Sequence, residues 1–322
     1  MGAVHLKALQ QIPSIEVAIV SRNEGKLAGD LSDCGGNFGT AAPSFDFSGV
    51  RKFRDLGAAL ADPEIDAVDL CLPTHLHEFA AVEALDAGKH VLLEKPMALD
   101  REGCRRLIGQ ARQHGRILMV AQVLRFFPAY RVLASALKSA GPIRAARFRR
   151  RCAMPAWGEW QSDSSKSGSA VLDLLIHDID IALHLFGAPS AIEATGKVGG
   201  EIDLISSRLY YDAGFTVEIV GGWHPGKFPL TMKYRIIGED ATIDYDFNRF
   251  PPRRHTARGI EDLPLEPGDP YAAEIAYFAE CVRNGSPPVE CPAEDSARAV
   301  GLALAMIEAR QRNGEKIPWK SE

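Results

Sequence analysis

The sequence predicts a chain of α/β plus α+β class: a doubly wound parallel sheet, then a mostly antiparallel open sheet with helices on one face. Three observations predict it. Up to about residue 122, short apolar runs alternate with amphipathic stretches, the rhythm of βαβ units. Beyond Pro128, strand-like runs succeed one another without helices between them, as antiparallel neighbours do. The 322 residues, 46% hydrophobic and 25% charged, are enough for two ordinary domains, each with its own core. The division falls at 1–122 and 123–322.

In the first part, strands are expected over 16–20, 67–72, 90–93 and 117–121, and helices over 24–33, 56–61, 76–87 and 101–114. Gly88 and Gly115 stand where C-caps belong. In the second part, a basic strand over 143–151 leads through a loop with Pro155, Gly158 and serines into a long apolar helix over 170–186. Strands over 192–197, 206–211, 216–221, 231–237 and 242–245 follow, and helices over 271–283 and 293–312 close the chain. The prolines between 251 and 254 and between 264 and 270 mark turn-rich surface loops. The sequence carries no internal repeat and no low-complexity segment.

A net charge of -5 gives no general electrostatic reason for a nucleic-acid or membrane partner, so small soluble molecules are the expected ligands. The cluster Arg147, Arg149, Arg150 and Arg151 alternates with apolar residues and reads as a solvated strand face rather than a phosphate patch. The six cysteines, Cys34, Cys71, Cys104, Cys152, Cys281 and Cys291, form no C-x-x-C pair and have no histidine at zinc spacing. That pattern indicates neither a disulfide framework nor a metal site, and it suits a reducing, cytoplasmic compartment. No apolar run is long enough to span a membrane and no signal peptide is visible.

Chemistry-bearing residues gather in three places. The run His-Val-Leu-Leu-Glu-Lys-Pro at 90–96 ends a buried strand in Glu94 and Lys95, at the carboxyl edge where open α/β sheets bind ligands. The bland reading is an ion pair at a strand end. In the helix after Gly168, Asp173, His177, Asp180 and His184 fall at i, i+4, i+7 and i+11, one stripe on one face, with Asp178 off it. Such a stripe lines either a cavity or solvent. The loop Pro73-Thr74-His75-Leu76-His77 precedes a helix whose N-terminal amides suit a dinucleotide phosphate or ribose, although it also reads as a simple cap. His5, His224 and His255 receive no role beyond packing or surface.

Oxidising a secondary alcohol needs a base for the hydroxyl proton, a cation or donor for the developing alkoxide, and a C–H held over a nicotinamide. Lysine, histidine and carboxylate supply those parts. His177 is expected to titrate near neutrality, Asp173 or Asp180 to orient it or grip a second hydroxyl, and Lys95 to polarise the carbonyl oxygen.

Taken together these residues resemble the Gfo/Idh/MocA family of oxidoreductases. Pro73…His77 is similar to its strand-end loop, Glu94-Lys95-Pro96 to its E-K-P motif, and Asp173-x-x-x-His177-x-x-Asp180 to its D-x-x-x-H-x-x-D helix. Arg125-Phe-Phe-Pro128-x-Tyr130 resembles the family's R-F-x-P-x-Y start of the second domain, and Tyr271-x-x-Glu274-x-x-x-Phe278 its first C-terminal helix. The resemblance implies a Rossmann-like first domain and hydride transfer between NADP or NAD and a sugar, cyclic polyol or derivative. It implies Lys95, Asp173 and His177 as the catalytic set, with Asp180 on substrate hydroxyls; Arg125 is also expected toward substrate, and Trp160 and Trp223 read as sugar-stacking residues or equally as structural packing. Gly2, Ser21, Arg22, Pro73, Thr74, His77, Glu94, Lys95 and Gln122 are expected toward the cofactor, no metal is expected, and the open sheet of the second domain would form a homodimer or homotetramer. Two alternatives share the scaffold: a glycosidase or isomerase that recycles its cofactor, and a non-catalytic sugar or nucleotide sensor.

The sequence departs from the family pattern at its start. An apolar strand carrying G-x-G-x-x-G is expected there, and the chain opens Met1-Gly2-Ala-Val-His5, so only the last fingerprint glycine is present. A start assigned too late at an internal methionine is expected in preference to a true loss, and any leader upstream would go unseen. At the end of the second strand stands Ser21-Arg22-Asn23 where an acid would grip a ribose hydroxyl. A guanidinium suits a 2′-phosphate, which favours NADP over NAD.

Overall fold

The computed structural model describes residues 1–32, 45–156 and 158–320. Cys34, Trp157 and the last residue of the helix expected over 24–33 lie outside them. The first part runs α1 (Gly2–Leu9), β1 (Ala18–Val20), α2 (Glu24–Leu27), β2 (Arg51–Phe53), α3 (Leu56–Leu60) and β3 (Ala67–Leu70). A 3-10 turn over Thr74–Leu76 leads into α4 (His77–Asp86), followed by β4 (His90–Glu94), α5 (Arg101–His114) and β5 (Leu118–Ala121). Local chemistry sets the helix ends. Asp55 and Asp100 cap α3 and α5, accepting from the amides of Ala58 and Gly103 at 2.8 and 2.7 Å. Gly115 ends α5 at φ 60°, a left-handed conformation that L side chains resist.

The parallel, Rossmann-like sheet comes in two pieces. β3, β4 and β5 pair in parallel with β4 central, and Val91, Leu92 and Leu93 are buried, as expected of a continuous apolar strand covered on both faces. β1 and β2 pair in parallel apart from them. A cavity of about 1470 Å³ lies between the pieces and is lined by every residue of 14–21 and 64–72. Successive strand residues point to opposite faces, so a cavity that touches all of them meets the edges of β1 and β3 rather than a face.

The second part contains α6 (Pro128–Leu137), β6 (Ile143–Ala153), four short or medium helices α7 (Glu159–Ser162), α8 (Ser164–Ser167), α9 (Ser169–Asp173) and α10 (Ile176–Phe186), and then a run of strands. These are β7 (Ala191–Gly199), β8 (Ile202–Tyr210), β9 (Thr216–His224), β10 (Thr231–Gly238), β11 (Thr242–Asp246), β12 (Phe250–Thr256) and β13 (Gly259–Asp262). Helices α11 (Pro270–Asn284) and α12 (Ala293–Gln311) and the short β14 (Ile317–Pro318) finish the chain. The strands make one nine-stranded sheet in the order β13-β12-β11-β10-β6-β9-β8-β7-β14. Of its pairings only β6 with β9 is parallel. Ala146, Phe148, Arg150 and Cys152 alternate inward from β6 onto a core shared with α9, α10 and α12.

Four sequence expectations change. The helix expected over 24–33 stops at Leu27, with Ala28 as its C-cap and Gly29 at φ 97° turning the chain away. The helix expected over 170–186 is two helices: the carbonyl of Ala170 accepts from both Leu174 and Leu175, the longer bond ends the ladder, and α10 starts afresh at Ile176. The basic run is not all solvated: Arg147 faces out, but Arg150 faces in and is buried. The segment at 251–254 is strand rather than loop. Pairing of β11 with β12 jumps from Asp244↔Arg253 to Asp246↔Phe250, a bulge that leaves Pro251 and Pro252, which lack an amide proton, out of the ladder.

Candidate active site

β4 ends at Glu94, and the next residue sends its side chain across to the second domain. Lys95 Nζ donates to the backbone carbonyl of Asp173 at 2.5 Å and to its Oδ1 at 3.3 Å. The break between α9 and α10 makes this contact available, because Asp173 is the last residue of α9, where carbonyls lack intrahelical partners. Lys95 and Asp173 keep 15% and 17% of their side-chain surface, so the pair is shielded yet reachable from solvent. His177, near the start of α10, is half-buried with its Nδ1 enclosed and unpartnered. Burial, then the charges of Lys95 and Arg150, hold its imidazole well below the ordinary value, so it is neutral at physiological pH rather than titrating near neutrality.

The walls beside this pair are built from the other strand ends. Glu94 Oε2 accepts from the Lys95 amide at 3.0 Å. His77 places Nδ1 2.8 Å from the carbonyl of Pro96 and Nε2 2.8 Å from that of Leu72, stitching the loop after β3 to the loop after β4. Burial pulls its basicity down although both carbonyls pull it up. Thr74 is buried at the start of the 3-10 turn, after Pro73. Gln122, just past β5, donates to Ser296 Oγ at 3.3 Å and leaves its Oε1 buried without a partner.

Gly2 and Ser21 line the large cavity, at the start of α1 and just past β1. The Ser21 hydroxyl accepts from the Asn23 amide at 3.2 Å, and Arg22 is exposed. A Cβ on Gly2 would meet only Cys71 Cβ, at an ordinary 3.6 Å, so this glycine makes no close backbone approach among the described residues.

Asp180 and Arg125 are brought onto each other. The guanidinium donates bidentately at 2.9 and 2.7 Å, both side chains are almost wholly buried, and Arg125 also reaches the carbonyl of Glu290 and Asp295 Oδ2 at 2.8 and 3.0 Å. Trp160 is half-buried with its ring tilted over His75, centroids 6.5 Å apart. Sequence reasoning missed Arg150 with Asp178, a second buried bidentate pair at 2.9 and 3.1 Å that fastens α10 to β6. The departure of Asp178 from the polar stripe was the signal for it. His5, Asp69 and Glu274 were also missed, because nothing in a linear pattern announces contacts between residues so far apart.

The unpartnered Gln122 Oε1, just past β5, is a buried acceptor that a donor on a bound dinucleotide would satisfy, so the residues at this sheet edge fit a nicotinamide cofactor.

Residues 1–122 match the family model described as oxidoreductase family, NAD-binding Rossmann fold, and residues 135–244 match the GFO/IDH/MocA C-terminal domain. The chain is 30% identical over 292 residues to the uncharacterized oxidoreductase ORF334 of Rhizobium meliloti, covering 84% of each. It is 30% identical over 271 residues to UDP-N-acetylglucosamine 3-dehydrogenase of Acidithiobacillus ferrooxidans, covering 79% of this chain and 81% of the relative. In fold it resembles a levoglucosan dehydrogenase solved with NADH and L-sorbose, with TM-score 0.84, 20% identity, and coverage of 100% of this chain and 96% of that one.

Proposed function

The chain belongs to the GFO/IDH/MocA oxidoreductase family, and on that premise we propose that it moves a hydride between NADP or NAD and a hydroxyl-bearing carbon of a sugar, cyclic polyol or derivative. The observation that carries this reading is the Lys95 ammonium held on Asp173 beside a neutral, partly enclosed His177. In the oxidising direction His177 takes the hydroxyl proton, which a neutral imidazole can do and an imidazolium cannot. The Lys95 ammonium faces the oxygen on which charge develops, and Asp173 keeps that ammonium in place. Bound nicotinamide supplies the hydride acceptor. Gly2, Ser21, Arg22, Pro73, Thr74, Glu94 and Gln122 are the residues that hold it, with His77 fixing the loops among them. The exposed Arg22 favours the 2′-phosphate of NADP. Trp160 offers a ring to the sugar.

Assembly as a homodimer or homotetramer belongs to the same reading, through the sheet face turned away from α10 and α12. That face bears Arg147 and Arg235 together with the exposed Ile237. A reducing, cytoplasmic setting is supported by the five described cysteines, all free. Among the described residues no helix is long and apolar enough to cross a membrane.

The test is direct. Purified chain mixed with NADP+ or NAD+ and a panel of polyols and sugars should generate reduced nicotinamide, read at its absorbance band. Lys95→Ala and His177→Ala should each lower kcat by about 10²–10⁴-fold, the usual worth of a positioned proton-transfer group. Full activity in both variants removes these residues from the mechanism.

A further inference from the structure

Lys95 emerges from a buried chain of charges of which the catalytic reading uses Glu94 alone. His5, on α1, is only 1% exposed. Its Nδ1 lies 2.8 Å from Asp69 Oδ2 and 3.1 Å from Oδ1, and its Nε2, which makes no hydrogen bond among the described residues, lies 3.0 Å from Glu94 Oε1. A neutral imidazole has one N–H and one lone pair, so with a carboxylate at each nitrogen one contact would be repulsive. Only the imidazolium serves both. Burial opposes that charge, yet Asp69 raises the ring well above its ordinary value, with help from Cys71, whose Sγ is 3.5 Å from Nδ1.

The remaining groups packed around the ring agree with a single cation between two carboxylates. From α11, Glu274 is fully buried with both oxygens unpartnered, and burial together with Glu94 pushes its carboxyl well above the ordinary range, toward the neutral acid. Tyr271, also from α11, stacks obliquely on His5 with centroids 6.1 Å apart, and burial keeps its phenol protonated. The Cys71 thiol, pushed up to about 12, is uncharged. For Glu94, burial pushes the carboxyl up, but contact with His5 and the charge of Lys95 bring it below the ordinary range.

Resting on the reading of Lys95 as the catalytic cation, we propose that His5 is its positioning residue: a buried imidazolium that ties Asp69 of β3 to Glu94 of β4. Glu94 Oε2 in turn holds the Lys95 amide, so the direction in which the ammonium leaves the strand is fixed from behind. The same clamp anchors α1, and with it Gly2, to the edge of β3 and β4. His5 touches neither Lys95 Nζ nor Asp173, and it acts through the backbone.

Nitrogen-15 NMR of the histidine rings in the full chain reads the charge state without any turnover. At pH 8 both ring nitrogens of His5, assigned by comparison with His5→Gln or by selective labelling, should show imidazolium shifts while His177 shows a neutral ring. A neutral His5 overturns the proposal whatever the activity. For turnover, His5→Gln and Glu94→Gln should each lower kcat by on the order of tenfold to a hundredfold with substrate KM little changed, as a sub-ångström displacement of a reacting group does. The double variant should lose no more than the worse single one, because the two act in one chain. Additive losses, or a change in substrate KM alone, would mean a structural role only. If Lys95→Ala keeps full activity, the catalytic reading fails while the NMR result still stands or falls by itself.

Discussion

Asp178 and Asp180 stand on the same turns of α10, and each is closed on an arginine, but the arginines differ in what else they hold. Arg125 keeps Asp295 and the Glu290 carbonyl when Asp180 is removed. Among the described residues, Arg150 keeps only the Tyr130 hydroxyl and the Met232 sulfur when Asp178 is removed. An arginine stranded in the core without a counterion costs about 3–5 kcal/mol. Asp178→Ala should therefore lower unfolding stability by about that amount and Asp180→Ala by clearly less, as read in urea titrations; equal losses would refute the distinction. The two central histidines carry opposite pH signs. His177 is depressed in the folded chain, so its contribution to stability is complete above about 6.5 and declines as the pH falls toward its folded value. His5 is raised, so its contribution is complete below about 6.5 and is lost as the pH climbs through its folded value. The acid limb of kcat/KM should accordingly lie below the ordinary imidazole range, and a limb centred near 6.5 would contradict a depressed His177. Lys95, Asp173 and His177 were legible in the sequence because motif and helical period placed them. His5 was not, since its two carboxylates arrive from strands that only the folded sheet brings beside α1.

At the scale of elements, the break between α9 and α10 decides what the polar stripe can do. An unbroken helix would commit the Asp173 carbonyl to its own ladder, whereas the break turns it toward Lys95. Sequence periodicity could not show this, since Leu174 and Leu175 fit an apolar helix and only the double acceptance at Ala170 ends it. β12 escaped for the opposite reason. Its prolines read as loop, and a bulge lets them stand in a strand. The parallel pair β6 with β9 shows how close these elements come. A Cβ on Gly221 would sit 1.7 Å from the carbonyl oxygen of Arg150 and 2.7 Å from its carbon, both backbone atoms that cannot rotate away. Gly221→Ala should thus force β9 off β6 and disturb the strand that carries Arg150. The expected cost is about 3 kcal/mol or more, seen as a lowered thermal midpoint or loss of soluble protein; a variant as stable as the parent would show that the two strands have slack.

For the whole molecule, alternation of runs announced the two-part plan, and the composition of a soluble globular chain agreed with it. How the first sheet is divided was not legible in any single run, because pairing depends on which edges meet. β4 is bonded on both sides by β3 and β5, whereas among the described residues β1 and β3 each have one strand neighbour and turn the other edge to the cavity. Amides on a cavity edge need no opening event to meet water, whereas those inside β4 exchange only when the surrounding core opens. Hydrogen exchange should therefore be slowest across 91–94, and at least about 10²-fold faster for the cavity-facing amides of 17–20 and 67–70, a gap of roughly 3 kcal/mol in opening free energy. The α1 helix should follow the slow group through its His5 clamp in the parent chain and join the fast group in His5→Gln, since the clamp ties it to β3 and β4 across the cavity wall. Uniform protection across β1, β3 and β4 would mean that the two sheet pieces behave as one in solution. Unchanged protection of α1 in the variant would mean that apolar contacts of Ala8 and Leu9, rather than the buried charges, hold that helix in place.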